Sequence, residues 1–258
     1  MQTAGWFTRF CLIAALGCAL ASCGGADQET QSFTSPQKGG IWHGTDPITG
    51  AALYGMVCEC GAFRFLASNG TNWVAQYAGH LTIDNKTGAS GTFDAFAQNG
   101  FVFNPQNEAH GTGGFGGAWV ERKSMSLIVD FQADNPPNPP LAAPVSGNLT
   151  LTFDEAYNRV VSPSGNWGSG NDTLSISDLG TLFADLQTMG AGCMANGTVK
   201  PSSPGHNVYD VSMTITCGGL SAGTLTGLAT VDTSGTTQKL VVAVSDTEGA
   251  LSLTMDRI

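Results

Sequence analysis

The sequence predicts an all-β chain built as two tandem antiparallel eight-stranded meander barrels or half-barrels. Three observations carry that expectation. The 258 residues include 35 glycines but only 12% charged residues, a composition suited to many short strands joined by tight turns. Apolar residues recur at every second position in short runs, and no amphipathic helix of three turns appears. The chain also repeats itself. Eight antiparallel strands in sequence order tend to close, because closure removes the sticky edges of an open sheet.

The repeat sets the module boundaries at 40–153 and 165–258, with a linker at 154–164 that has room for one short helical turn. Gly40-Ile41-Trp42-His43-Gly44 opens the first module and Gly165-Asn166-Trp167-Gly168 the second. The pairs that follow in the same order are Gly61 with Gly180, Gly79 with Gly197, Phe93-Asp94 with Tyr209-Asp210, and Gly117 with Gly227. The run from Gly147 to Phe153 then mirrors the run from Gly249 to Met255. Alternation and turn signals place strands near 40–45, 51–57, 61–68, 73–83, 89–97, 112–121, 125–131 and 147–153. In the second module they fall near 165–169, 172–177, 180–187, 191–200, 207–217, 221–231, 238–244 and 250–256. Asn69-Gly70, Asp84 to Gly88 and Asp232 to Gly235 supply the left-handed positions that hairpin links need. The Gly-x-Trp opening resembles the first strand of calycin-type barrels. That resemblance implies a late arginine packed over the tryptophan: Arg257 stands in that place in module two, whereas module one has Glu155 there.

The N-terminus carries one base, Arg9, then an apolar run from Phe10 to about Ala19, then small residues. This is the layout of an exported chain's signal and is too short to cross a bilayer, which takes about 20 apolar residues. Leu20-Ala21-Ser22-Cys23 resembles the bacterial lipobox. The resemblance implies that residues 1–22 are a signal peptide and that Cys23 is acylated after cleavage; more than one acyl chain gives stable anchoring. Gly24 and Gly25 after the cysteine imply sorting to the outer membrane in a Gram-negative envelope. Residues 23–39 read as a flexible tether, polar and poor in aliphatics, with a reach of roughly 20 to 24 Å. The whole organisation resembles poorly characterised Gram-negative lipoproteins built from Gly-rich β modules, and also the barrel lobes of host-protein-binding surface lipoproteins. It implies fold better than function.

Export places Cys58, Cys60, Cys193 and Cys217 where disulfides persist. A hairpin turning about Gly205 sets Cys193 opposite Cys217, so a bridge is expected there. Cys58-Glu59-Cys60 sits at a turn in the repeat map, which draws its Cα atoms close enough for a small staple. Soft-metal capture, redox exchange and free thiols are the other readings of this pair. A metal would need two further ligands, and His43, His80, His110 and His206 show no ligand spacing.

The formal net charge of −10 argues against nucleic-acid partners and against polybasic membrane contact. There is no Gly-x-Ser-x-Gly, no His-Glu-x-x-His and no phosphate loop, so the expectation is a non-enzyme without a cofactor. Fourteen aromatic residues lie from Trp42 to Phe153, against four from Tyr157 onward. Most of them suit a first core. Phe101, Phe103 and Trp119 are the candidate ligand-contacting residues at a barrel mouth or exposed patch. Module one also has two long insertions: Ala97 to Gly111, and Ala133 to Ser146 with its proline run. The expected function is binding a protein or small ligand, with an envelope or host protein as partner. The rivals are a structural envelope component and a thiol-based metal or redox handler using Cys58 and Cys60.

Overall fold

Alternating apolar residues give each strand one dry face, and in both halves of the chain eight such strands curl until the last meets the first. The computed structural model describes residues 36–84, 87–103, 108–134, 145–218 and 220–258. The signal peptide, Cys23, the tether as far as residue 35 and the proline run at 135–144 lie outside the described residues. Barrel 1 comprises β1 (Gly40–Thr45), β2 (Ala52–Val57), β3 (Ala62–Ser68), β4 (Trp73–Asp84), β5 (Gly88–Ala97), β6 (His110–Val120), β7 (Ser124–Ala133) and β8 (Val145–Asp154). Barrel 2 comprises β9 (Gly165–Ser169), β10 (Asp172–Ile176), β11 (Thr181–Asp185), β12 (Cys193–Pro201), β13 (Tyr209–Cys217), β14 (Leu220–Asp232), β15 (Lys239–Ser245) and β16 (Ala250–Arg257). Both barrels are closed and every strand pairing is antiparallel. The expected strands and the observed ones agree to within two residues at each end, and the linker forms a single 3-10 turn at Glu155–Asn158.

Walking the ladders outward from Trp42 and Trp167 shows which residues correspond. Trp42 faces Gly55 and Trp167 faces Leu174. The turns that follow match bond for bond. Gly61 N–H donates to Cys58 O and Gly180 N–H to Ser177 O, while Gly61 O accepts from Leu81 and Gly180 O from Val199. Both glycines have positive φ, 94° and 77°, and a Cβ on either would strike the neighbouring strand's carbonyl. Gly79 and Gly197 correspond as the sequence comparison expects. Beyond them that comparison is corrected. Gly79 faces Phe93 and Gly197 faces Met213, so Phe93 corresponds to Met213 rather than Tyr209. By the same walk Gly117 corresponds to Ala229 rather than Gly227, and Phe153 to Arg257 rather than Met255. Phe153, not Glu155, therefore stands where Arg257 does. Each slip is by an even number of residues, which leaves inward side chains inward and so is invisible to alternation.

Barrel 1 is filled by large side chains facing glycines across the ladder. Phe65 covers Gly55, Phe115 covers Gly91 and Phe93 covers Gly113, and a Cβ on any of these glycines would collide with the ring. Barrel 2 fills the same layers with aliphatic chains: Leu182, Gly197 and Met213 stand side by side on β11, β12 and β13.

The two barrels pack side by side within one compact unit, Pro36–Ile258. Ile41, Met56 and Leu66 of barrel 1 bury against Leu228, Val241 and Ala243 of barrel 2. Strands at this contact are dry on both faces, which explains the unbroken burial of Leu240 to Ser245 in β15. A chain of side-chain amides and a hydroxyl bridges the contact. Gln98 donates to Ser252 Oγ (3.0 Å), Ser252 donates to Gln76 Oε1 (2.7 Å), and Gln76 donates to Val244 O (3.2 Å). Arg64 donates to its neighbour Phe63 O and across the contact to Thr226 O, 2.8 and 2.9 Å. Burial pulls its pKa down to about 10, against the opposing field of Asp94.

Candidate functional site

Meander topology sends successive loops to alternate ends of a barrel. One end of barrel 1 gathers the links after β1, β3, β5 and β7, and the other gathers those after β2, β4, β6 and β8. Phe101 and Phe103 lie at the first end, in the link after β5. They pack on each other (6.1 Å between centroids), and Phe103 packs on Phe131 (5.0 Å) and Tyr77 (6.5 Å). Both are partly buried against the barrel core. Trp119 belongs to the opposite end and is 2% exposed, its backbone N–H bonded to Thr87 O at 2.7 Å. The three residues therefore do not form one contact patch: the structure brings Phe101 and Phe103 together and assigns Trp119 to the core.

Beneath Phe103 the segment after β1 turns into the mouth. Asp46 is 2% exposed and accepts from Tyr77 OH at 2.6 Å, from Ile48 N at 3.0 Å, and from the backbone and hydroxyl of Thr49. Burial, then the adjacent Asp46 charge, pushes the Tyr77 phenol far above its ordinary pKa. Pro47 lies against Gly147, and Ile48 packs on the core. The void left among Leu53, Phe63, Phe115 and Leu149 is about 30 Å³. A small-molecule site needs roughly 300 Å³ or more, so the interior of barrel 1 is core and not calyx.

At the opposite end, Cys58 and Cys60 are joined as a disulfide, Cα atoms 5.1 Å apart, across the turn from β2 to β3. Glu59 between them accepts from Tyr157 OH at 2.9 Å and Gly39 N at 3.1 Å, and lies 3.6 Å from Arg122. Tyr157 is fully buried. It stacks on His206 at 4.4 Å with the planes 7° apart, and Arg122 sits 5.5 Å from its ring centroid. Its carbonyl accepts from Asn207 N of barrel 2. The Cys-Glu-Cys turn thus holds the linker to the barrel. Among the described residues no three His, Cys, Asp or Glu side chains converge as a metal site. Cys193 and Cys217 are direct ladder partners on β12 and β13 and are bonded, as the hairpin arithmetic expects. Sequence reasoning missed Tyr157, Asn207 and the barrel contact; the unalternating run Leu240 to Val244 was the available signal.

In barrel 2 the guanidinium of Arg257 lies 5.2 Å from the Trp167 ring centroid and donates to Ser164 O at 2.8 Å. In barrel 1 Phe153 meets Trp42 edge-on at 5.3 Å instead. Closed eight-strand barrels, one with an arginine over its opening tryptophan, define an all-β tandem-barrel protein. No protein-family model matches the chain, and no curated protein sequence matches it. A solved structure, Aeromonas veronii immune modulator A, is similar with a TM-score of 0.36 and 12% identity, covering 86% of this chain and 94% of that chain.

Proposed function

We propose that this protein is an outer-membrane-anchored lipoprotein, held through Cys23, that acts as a non-enzymatic binding module for a protein or small ligand. Its contact is made outside the barrels. The observation that carries this reading is the filled interior of barrel 1, with its void of about 30 Å³, which leaves loops and grooves as the surfaces of recognition. The bonded Cys58 and Cys60, with Glu59 engaged by Tyr157 and Gly39, support a structural staple over the thiol-handling alternative. Photo-crosslinking on intact cells tests the reading, with the protein recovered from the membrane fraction and its mature N-terminus weighed. The expected result is an acylated Cys23, release from membranes in Cys23→Ala, and one recurrent crosslinked neighbour. An N-terminus without acyl mass removes the anchor. Crosslinks spread evenly over abundant envelope components favour a structural role instead.

A further inference from the structure

The two barrels close their seams with different material. In barrel 1, β8 pairs with β1 over four residues, Leu151 to Asp154. Above that point the segment Asp46 to Ala51 folds over the remaining edge, with Pro47 against Gly147. In barrel 2, β16 pairs with β9 only at Asp256 and Arg257. The corresponding link there is the tight turn at Gly170-Asn171, which supplies no such cover. The consequence shows in burial: Leu149 is 5% exposed, whereas its counterpart Leu253 of β16 is only half-buried.

Strand alternation identifies the uncovered groups. Arg257 N–H bonds Gln238 O on the β15 side, and Ile258 N–H bonds Asn166 O on the β9 side. Residues two apart share an edge, so Ala250, Ser252 and Thr254 direct their N–H and C=O groups to the side where no strand pairs among the described residues. That edge borders a groove of about 620 Å³ between the barrels, walled by Trp73 and Asn99 on one side and by Ser169 and Thr188 on the other. Inward Leu253 and Met255 and outward Ser252 and Thr254 all line it. Both faces of one strand border a groove only when the groove runs along the strand's edge.

We infer that the open edge of β16 takes an extended peptide segment of a partner protein as an added strand. The segment alternates small apolar residues, turned toward Leu251 and Leu253, with polar ones. It carries at least one lysine or arginine, because the chain is net −10 and the lining cation, Lys239, is already tied to Asp256 at 2.6 Å. This rests on the binding-module reading and adds the site and the chemistry of the ligand.

The test uses the full exported protein in detergent with a displayed library of random heptapeptides. Enrichment of alternating, lysine- or arginine-containing sequences is expected. Methylating every second backbone nitrogen of a selected peptide should weaken it at least tenfold. Ala250→Pro, which removes an edge N–H without touching the β15 ladder, should do the same. Ser169→Trp, which fills the groove from its exposed wall, supplies a second obstruction should the proline disturb folding. No enrichment, enrichment without alternation, indifference to N-methylation, or binding of chito-oligosaccharides in place of peptides would each overturn the inference. A cellular partner still captured by Ala250→Pro and Ser169→Trp would keep the binding module and discard this edge.

Discussion

Barrel 1 and barrel 2 share strand number, order and ladder register, yet are held together differently. Barrel 1 interleaves rings with glycines, stapling only a turn through Cys58 and Cys60 and sealing its seam with the Asp46 segment. Barrel 2 relies on aliphatic layers, a disulfide between neighbouring strands and Arg257 over Trp167, and it leaves part of one edge uncovered. A barrel's topology therefore does not dictate its filling. Ring-on-glycine and aliphatic layers both give a closely packed interior within the same closed sheet.

The largest contrast expected is between the disulfides. Replacing Cys193 and Cys217 by serine frees a loop of about 25 residues and should cost about 3.5 kcal/mol on the chain-entropy estimate. The Cys58→Ser, Cys60→Ser pair frees a three-residue loop and should cost less than half of that, roughly 1.5 kcal/mol. Urea unfolding of both proteins, monitored by tryptophan fluorescence, measures the difference; equal losses would deny the distinction.

Leucine truncation at the seam comes next. By the ladder walk Leu149 and Leu253 occupy corresponding positions. Leu149→Ala should cost about 3 kcal/mol, as expected for a buried leucine, and Leu253→Ala clearly less. A larger loss at Leu253 would mean that the barrel 2 seam is closed in solution. Tyr77→Phe should cost about 1 to 2 kcal/mol by withdrawing a donor from the buried Asp46 carboxylate. In barrel 2 the buried Asp172 accepts from Thr188 rather than from a tyrosine, so the loss at Tyr77 should fall on barrel 1, read by hydrogen exchange of β4 and β8.

The smallest effect is a pH dependence. Burial pushes the Asp154 carboxyl up, but the Ala156 N–H bond and His43, 2.8 Å away, together hold it below the ordinary carboxylate range. A depressed folded pKa gives stability that is full above the unfolded value, near 3.9, and is lost as pH falls through the lower folded value. Asp154→Asn should flatten that acid limb slightly, checked by thermal unfolding between pH 5 and pH 2.

Much of this architecture was legible because strand rules are local. A period of two, a turn glycine and a cross-strand cysteine pair act over a few residues, so strand bounds, the turns at Gly61 and Gly180 and the Cys193 to Cys217 bridge could be read directly. Tertiary structure alone decided whether eight strands close or stay open, and slipped the repeat by even steps after Gly79, because alternation is blind to such shifts. It also set Phe101 and Phe103 at one mouth and Trp119 at the other, buried β15 on both faces, and left the edge of β16 uncovered. Each of these depends on which distant segments pack together, and no local pattern encodes that choice.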